Sequence, residues 1–299
     1  VVIKMAWRVV VIENPARLNL AHNQLVIIQD QEISLPIEDI DALVIDSYGV
    51  IVTAELLAYL STHKTTVVVC DDKHLPCGML ISYSQHSRQA KVSRQQLAMP
   101  QPLKKQLWKN NVIVKITNQA DVLAYFGLDD RLLRDCVNRV RSGDTGNQES
   151  IAARVYFDQL LDDATRRQPI WHNAALNYGY AIVRSHIARH VAARGLIASQ
   201  GIFHHNELNG FNLVDDLIES YRPIVDAIVI EYAKRQMITQ DSALSATDRR
   251  FLVDILNKYV IIKDKRFTLK HAIELTVESF VDCIDKQSVS NLALPKVNF

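Results

Sequence analysis

Cysteine is scarce and scattered: Cys70, Cys77, Cys136 and Cys283 are the only four in 299 residues, and no two form a CxxC pair. That spacing argues against a zinc ribbon and a disulfide framework, and it fits a reducing cytoplasm. Long apolar runs are missing too. No stretch reaches the roughly 18 residues that a membrane-spanning helix needs, and no leader-like segment opens the chain, so a cytoplasmic protein without a membrane partner is expected. Repeats and low-complexity tracts are absent, as is any obvious serine or cysteine nucleophile motif. Acidic residues disappear altogether between positions 85 and 120, where Arg88, Lys91, Arg94, Lys104, Lys105, Lys109 and Lys115 stand without a counter-charge in the sequence.

What is present divides the chain in two. Residues 1–84 carry five basic and ten acidic side chains, whereas residues 85–299 carry 29 and 23, so a net charge of +1 hides opposite halves. The first part reads as short β-branched strands: Trp7–Glu13, Gln24–Gln29, Gln31–Leu35, Ala42–Asp46, Thr66–Cys70 and a short one near Met79–Ser82. One helix over Thr53–His63 interrupts them, with Thr53 as its N-cap. From about Gln85 the apolar period changes from two to 3.6, predicting helices over 86–98, 102–126, 128–141, 149–163, 173–194, 212–233, 246–259 and 268–285. Val260–Leu269 reads as a small hairpin with a charged turn. The expectation is an α+β protein: a β-rich domain at 1–84, then a larger helical domain at 85–299. An apolar content of 48% is ample for two cores.

Chemistry concentrates in three segments of the second part. In Gly201–Pro223 (GIFHHNELNGFNLVDDLIESYRP), paired histidines precede an acidic cluster bracketed by Leu213, Val214, Leu217 and Ile218. Asp216 and Glu219, three apart, are helical neighbours, and so are Asp215 and Glu219, four apart; spacing does not choose between the pairs. Carboxylates this close repel unless a cation or protons intervene, and with an imidazole they suit Mg²⁺ or Mn²⁺. An exposed acidic helix face would show the same spacing. Upstream, Glu149 falls in the first turn of a helix that Asp144 or Asn147 would cap, just before the small pair Ala152–Ala153. Between them, Asn173, Asn177 and Tyr180 lie one turn apart, placed either to fix loops or to hold a phosphate.

Taken in order, these segments resemble the CRISPR-associated "Cas one" integrases of spacer acquisition. The resemblance rests on QESIAARVYF at 148–157, on P-x-x-x-N-x-x-L-x-Y-G-Y from Pro169 to Tyr180, and on G-x-x-H at Gly201–His204 followed by D-L-x-E-x-x-R-P at Asp216–Pro223. In the first part, CDDKHLP at Cys70–Pro76 is similar to the type II branch. Ser220 and Tyr221 stand where relatives often have Pro and Phe.

The resemblance implies that Glu149, His204 and Glu219 ligate Mg²⁺ or Mn²⁺, with Asp216 as a further acidic group beside them. It implies insertion of short duplex DNA into a repeat array, the 3′-hydroxyl attacking a phosphodiester, together with endonuclease activity. Arg88, Lys91, Arg94, Lys104, Lys105, Lys109, Asn173 and Tyr180 would then contact double-stranded DNA. A homodimer formed through the β-rich domain is implied, joined by the small "Cas two" subunit. The effector nuclease and a DNA-clamp protein are further partners of the type II branch. Since His204 must be neutral to ligate, activity is expected to fall below about pH 6 to 6.5. A stand-alone metal-dependent nuclease and a non-catalytic DNA-binding assembly subunit are the competing readings.

Overall fold

The computed structural model describes residues 8–72, 74, 76–82, 87–161 and 164–299. Contacts divide the chain into two compact units, Val1–Ser87 and Arg88–Phe299. The boundary expected after Ser84 falls among residues 83–86, outside the described set, as does Trp7.

The first unit contains β1 (Arg8–Ile12), β2 (Ala16–Ala21), β3 (Gln24–Ile28), β4 (Glu32–Pro36), β5 (Ile40–Ile45), β6 (Val50–Val52), α1 (Ala54–Thr62), β7 (Thr66–Cys70) and β8 (Pro76–Leu80). They make two four-stranded sheets, ordered β4-β3-β2-β6 and β1-β5-β7-β8. Strands β1, β5 and β7 run parallel, and β8 returns antiparallel. Every residue of β5 is buried, as a central parallel strand requires. His22 and Asn23 both take positive φ at the tight β2–β3 turn, the conformation that matches strand twist in two-residue hairpins. Leu18, Leu25, Ile40, Leu43, Leu56 and Leu60 pack into the core. The Thr53 hydroxyl accepts the Leu56 amide at 3.4 Å, so the expected cap of α1 is made. Strands β2 and β6 were not among the expected ones. Arg17 and Asn19 dilute β2, and β6 is only three residues long.

The second unit contains α2 (Gln89–Leu97), α3 (Gln101–Tyr125), α4 (Arg131–Arg139), α5 (Gln148–Leu160), α6 (Trp171–Ala193), α7 (Asn212–Ile218), α8 (Arg222–Gln236), α9 (Ala246–Val253), a hairpin of β9 (Tyr259–Ile262) and β10 (Lys265–Thr268), and α10 (Leu269–Lys286). The helices α3 and α6 are the longest, and their buried faces run nearly their full length. Gly179 lets α6 approach α8, because a Cβ there would lie 2.7 Å from Val225 Cγ1. Among the described residues no helix is long and apolar enough to cross a membrane.

The single helix expected over 212–233 is two. Proline at 223 has no N–H to offer the Glu219 carbonyl, and its ring crowds that carbonyl, so the chain breaks between Ile218 and Arg222. Glu219 therefore sits at the C-cap of α7, where a change of direction turns its side chain toward α3. The last helical turn expected near 254–257 tightens to a 3₁₀ turn.

Candidate active site

A polar stripe on α3 organises the site. Trp108, Asn111, Lys115 and Asn118 recur at three- and four-residue steps, share one face, and are all buried. Asn118 donates its amide to the carbonyls of Ser220 (3.0 Å) and Pro295 (2.9 Å), and Asn111 donates to the Asp216 carbonyl. These bonds hold the α7–α8 junction and the C-terminal tail against α3. Between the two asparagines, the Lys115 ammonium donates to Glu149 Oε1 and, at 2.5 Å, to Glu219 Oε2.

Each carboxylate reaches that ammonium for a local reason. Asp144, itself at positive φ, accepts the amides of Gln148 and Glu149, each at 2.9 Å, and so caps α5. The sequence left Asp144 and Asn147 open; the structure selects Asp144, and Asn147 makes no side-chain cap bond. Glu219 also accepts Arg222 Nε at 2.8 Å. Burial by itself would raise the Glu219 carboxyl, but the nearby Lys115 and Arg222 charges outweigh it and hold the group down to about 2. Burial would lower Lys115; Glu219 and Glu149 outweigh that and raise it.

His204 arrives on the 201–204 loop, which folds over Asp216. The Asp216 side chain is fully buried. Its Oδ2 accepts the amides of Ile202 (2.6 Å) and Phe203 (3.1 Å). Its Oδ1 accepts the amide of His204 (3.1 Å) and the ring Nδ1–H (2.8 Å). Only glycine fits at 201, since a Cβ would lie 2.6 Å from Asp216 Oδ2 and 2.3 Å from the His204 carbonyl oxygen. Phe203 stacks on Trp108 at 4.2 Å, clamping the loop to α3. The Asp216 hydrogen bond raises the His204 pKa against the effect of burial. With Nδ1 tied to a carboxylate, Nε2 is the outward ring nitrogen.

The structure separates residues that the sequence could not. Asp216 spends both oxygens on the loop and on His204, so it positions the imidazole. Asp215 faces Arg184 (2.6 Å) and Asn209 (2.6 Å), while exposed His205 bonds the Phe203 carbonyl at 2.9 Å. Among the described residues no three His, Cys, Asp or Glu side chains stand close enough to hold a metal as arranged. The glutamates close on Lys115 instead. The donor chemistry nevertheless fits a hard divalent ion: two carboxylates converge on one cation, and an imidazole is oriented by a third.

Two expected DNA contacts lie inside the fold. Asn173 is buried, accepting from Arg166 at 2.5 Å and donating to the carbonyls of Thr165 and Gln168 at 2.8 Å. Tyr180 is also buried, its hydroxyl donating to Asp226, which accepts Tyr156 as well at 3.0 Å. Both side chains hold loops and helices together in this structure. The basic run is likewise divided. Arg88, Lys91, Arg94 and Lys105 are exposed and Lys104 and Lys109 half-buried, whereas Lys115 points into the site. In the first unit, the His74 ring meets buried Asp46 at 2.9 Å; Lys73 and Leu75 of CDDKHLP lie outside the described residues.

Comparison with known proteins places the chain in a family. The family described as CRISPR associated protein Cas1 matches residues 9–262. A CRISPR-associated endonuclease Cas1 from Neisseria meningitidis serogroup C is 38% identical over 297 residues, covering 98% of this chain and 97% of that protein. Among solved structures, a casposase bound to its integration product has a TM-score of 0.78 at 18% identity, covering 95% of this chain and 92% of that one. A Cas6-RT-Cas1–Cas2 complex has a TM-score of 0.75 at 22% identity, covering 98% of this chain and 36% of that one. At such identities, the two structures establish a shared fold.

Proposed function

The chain belongs to the CRISPR-associated Cas1 family, and on that premise we propose that it is an integrase of spacer acquisition. In this reading the 3′-hydroxyl of a short duplex attacks a phosphodiester at a repeat boundary, and the bond to the leaving 3′-oxygen breaks as the new one forms. No covalent enzyme intermediate is needed. One observation carries the reading: Glu149 on α5 and Glu219 at the C-cap of α7 converge on a buried cation, and His204, which feels the Glu219 charge, is fixed by Asp216. Glu149, Glu219 and the outward Nε2 of His204 would hold a divalent ion such as Mg²⁺ or Mn²⁺, whose Lewis acidity would offset charge on the scissile phosphate and the leaving oxygen.

The protein's own groups prepare that site. Asp216 keeps the proton of the neutral imidazole on Nδ1 and the lone pair on Nε2. Because the same carboxylate raises the His204 pKa, loss of joining on acidification sets in above the ordinary histidine value, higher than the sequence suggested. Arg88, Lys91, Arg94, Lys104, Lys105 and Lys109 supply phosphate-facing charge for sequence-tolerant, salt-sensitive binding. A homodimer working with a small Cas2 partner fits the likeness to the Cas1–Cas2 complex.

The test is strand joining on supercoiled plasmid with a 3′-hydroxyl duplex and Mg²⁺ or Mn²⁺. Joined strands are expected; nicks or linear fragments alone would favour a stand-alone nuclease. Glu149→Ala should lower joining by about 10²- to 10³-fold, the usual cost of removing one group that stabilises transition-state charge. Unimpaired joining by that variant would remove Glu149 from the metal site, whereas a wild type that binds the duplex and neither joins nor nicks would have only a DNA-binding role. His204→Ala should abolish joining and His205→Ala should not.

A further inference from the structure

Lys115 is the one member of the basic run that the DNA-binding reading does not use. It lies in the middle of the 25-residue α3, and its ammonium bridges the two glutamates proposed to hold a metal. Its backbone is pinned on both sides, by Asn111 bonded to the Asp216 carbonyl and Asn118 bonded to the Ser220 and Pro295 carbonyls. Only the four-carbon stem can move. Glu219 has a second cation in Arg222, whereas Lys115 is the cation that meets Glu149.

We infer that Lys115 is the resident counter-cation of the Glu149–Glu219 pair, and that a divalent ion enters only by displacing its ammonium. The inference rests on the metal reading above. Two cations cannot occupy the space between the same two carboxylate oxygens, since each would repel the other at close range in a buried site. Before metal arrives, the ammonium keeps the carboxylates together and so preserves the geometry of the site. Once metal arrives, that same ammonium is a competitor. Lys115 is thus a positioning residue that sets how much metal the site demands.

The experiment measures Mn²⁺ binding to the full-length protein by the electron paramagnetic resonance signal of free Mn²⁺. Wild type is compared with Lys115→Met, which keeps a long unbranched stem and removes the charge. If the carboxylates are free of the ammonium about a tenth of the time, the variant binds Mn²⁺ about ten-fold more tightly. Its metal-free form should also melt lower than wild type and gain more from added Mn²⁺. A merely structural lysine would not give tighter binding. Unchanged or weaker Mn²⁺ affinity in Lys115→Met, with wild type binding normally, overturns the inference and leaves the metal reading intact. Failure of both proteins to bind Mn²⁺ overturns the metal reading and displacement with it. Should the variant not fold, amine labelling of wild type followed by mass spectrometry decides: Lys115 is protected without metal and labelled with Mg²⁺, and protection unchanged by Mg²⁺ overturns displacement.

Discussion

Glu219 and Asp226 stand seven residues apart across the α7–α8 junction, both buried, and they ionise in opposite directions. Burial pushes both upward. At Glu219 two cations in direct contact, Lys115 and Arg222, reverse the push and bring the carboxyl to about 2. At Asp226 the hydrogen-bond partners are neutral phenols, Tyr180 and Tyr156, with Arg166 and Arg222 contributing only at longer range, and the carboxyl rises to about 6. The guanidinium of Arg222 lies over the Tyr180 ring at 4.7 Å, so one residue serves both regions unequally. The difference teaches what each is built for. The Glu219 region keeps its negative charge at any ordinary pH, as a cation site requires, whereas the Asp226 region ties α5, α6 and α8 together with a charge it barely tolerates.

The sharpest way to break the comparison is Glu219→Ala. It leaves buried Lys115 and half-buried Arg222 each short of a partner, and urea unfolding should show a loss of about 3–5 kcal/mol. Asp226 gives a pH signature instead. Burial raises its folded pKa from the ordinary 3.8 to about 6, so its stabilising contribution is present below pH 3.8 and lost as pH rises to 6. Relative to Asp226→Asn, wild type should lose about 3 kcal/mol across that window and change little above it, as read from urea midpoints at successive pH values. Asn118→Ala should cost about 2 kcal/mol by the same measurement, because it strips buried carbonyls at Ser220 and Pro295 of their donor. Asp144→Ala, which removes the cap beneath Glu149, should cost about 1 kcal/mol, with helix α5 fraying first in hydrogen exchange.

Much of the fold was legible because periodicity is local. The β-rich start, the change to helical spacing at about Gln85, the Thr53 cap and the hairpin near 260 all follow from neighbouring residues. The break at Glu219–Tyr221 was readable in principle from Pro223, but the apolar face of Leu213, Leu217 and Ile224 runs straight through it. Within the site, Glu149, His204 and Glu219 were singled out by the family resemblance, since spacing alone left the choice among the neighbouring acidic residues open. Lys115 was not, because a charge run treats each member alike. The signal that distinguishes it is the stripe Trp108–Asn111–Lys115–Asn118, polar groups at helical spacing among Leu107, Val112 and Ile116. The burial of Asn173 and Tyr180 was not legible for the converse reason: polar groups one turn apart look the same whether they face solvent or a buried partner.

By itself the sequence determined which chemical groups this protein owns and the local geometry that presents them: a glutamate in a capped first helical turn, a glycine that admits a tight loop before His204, and a proline that ends α7 beside Glu219. These depend on steric and hydrogen-bonding rules that act over a few residues. Only the tertiary structure decided that Lys115 closes on Glu149 and Glu219, that Asp216 orients His204, and that Asp226 is held by two tyrosines. The energy of a charge depends on its distance to other charges and on how much water surrounds it, and packing alone sets both for pairs such as Lys115 and Glu219, 104 residues apart.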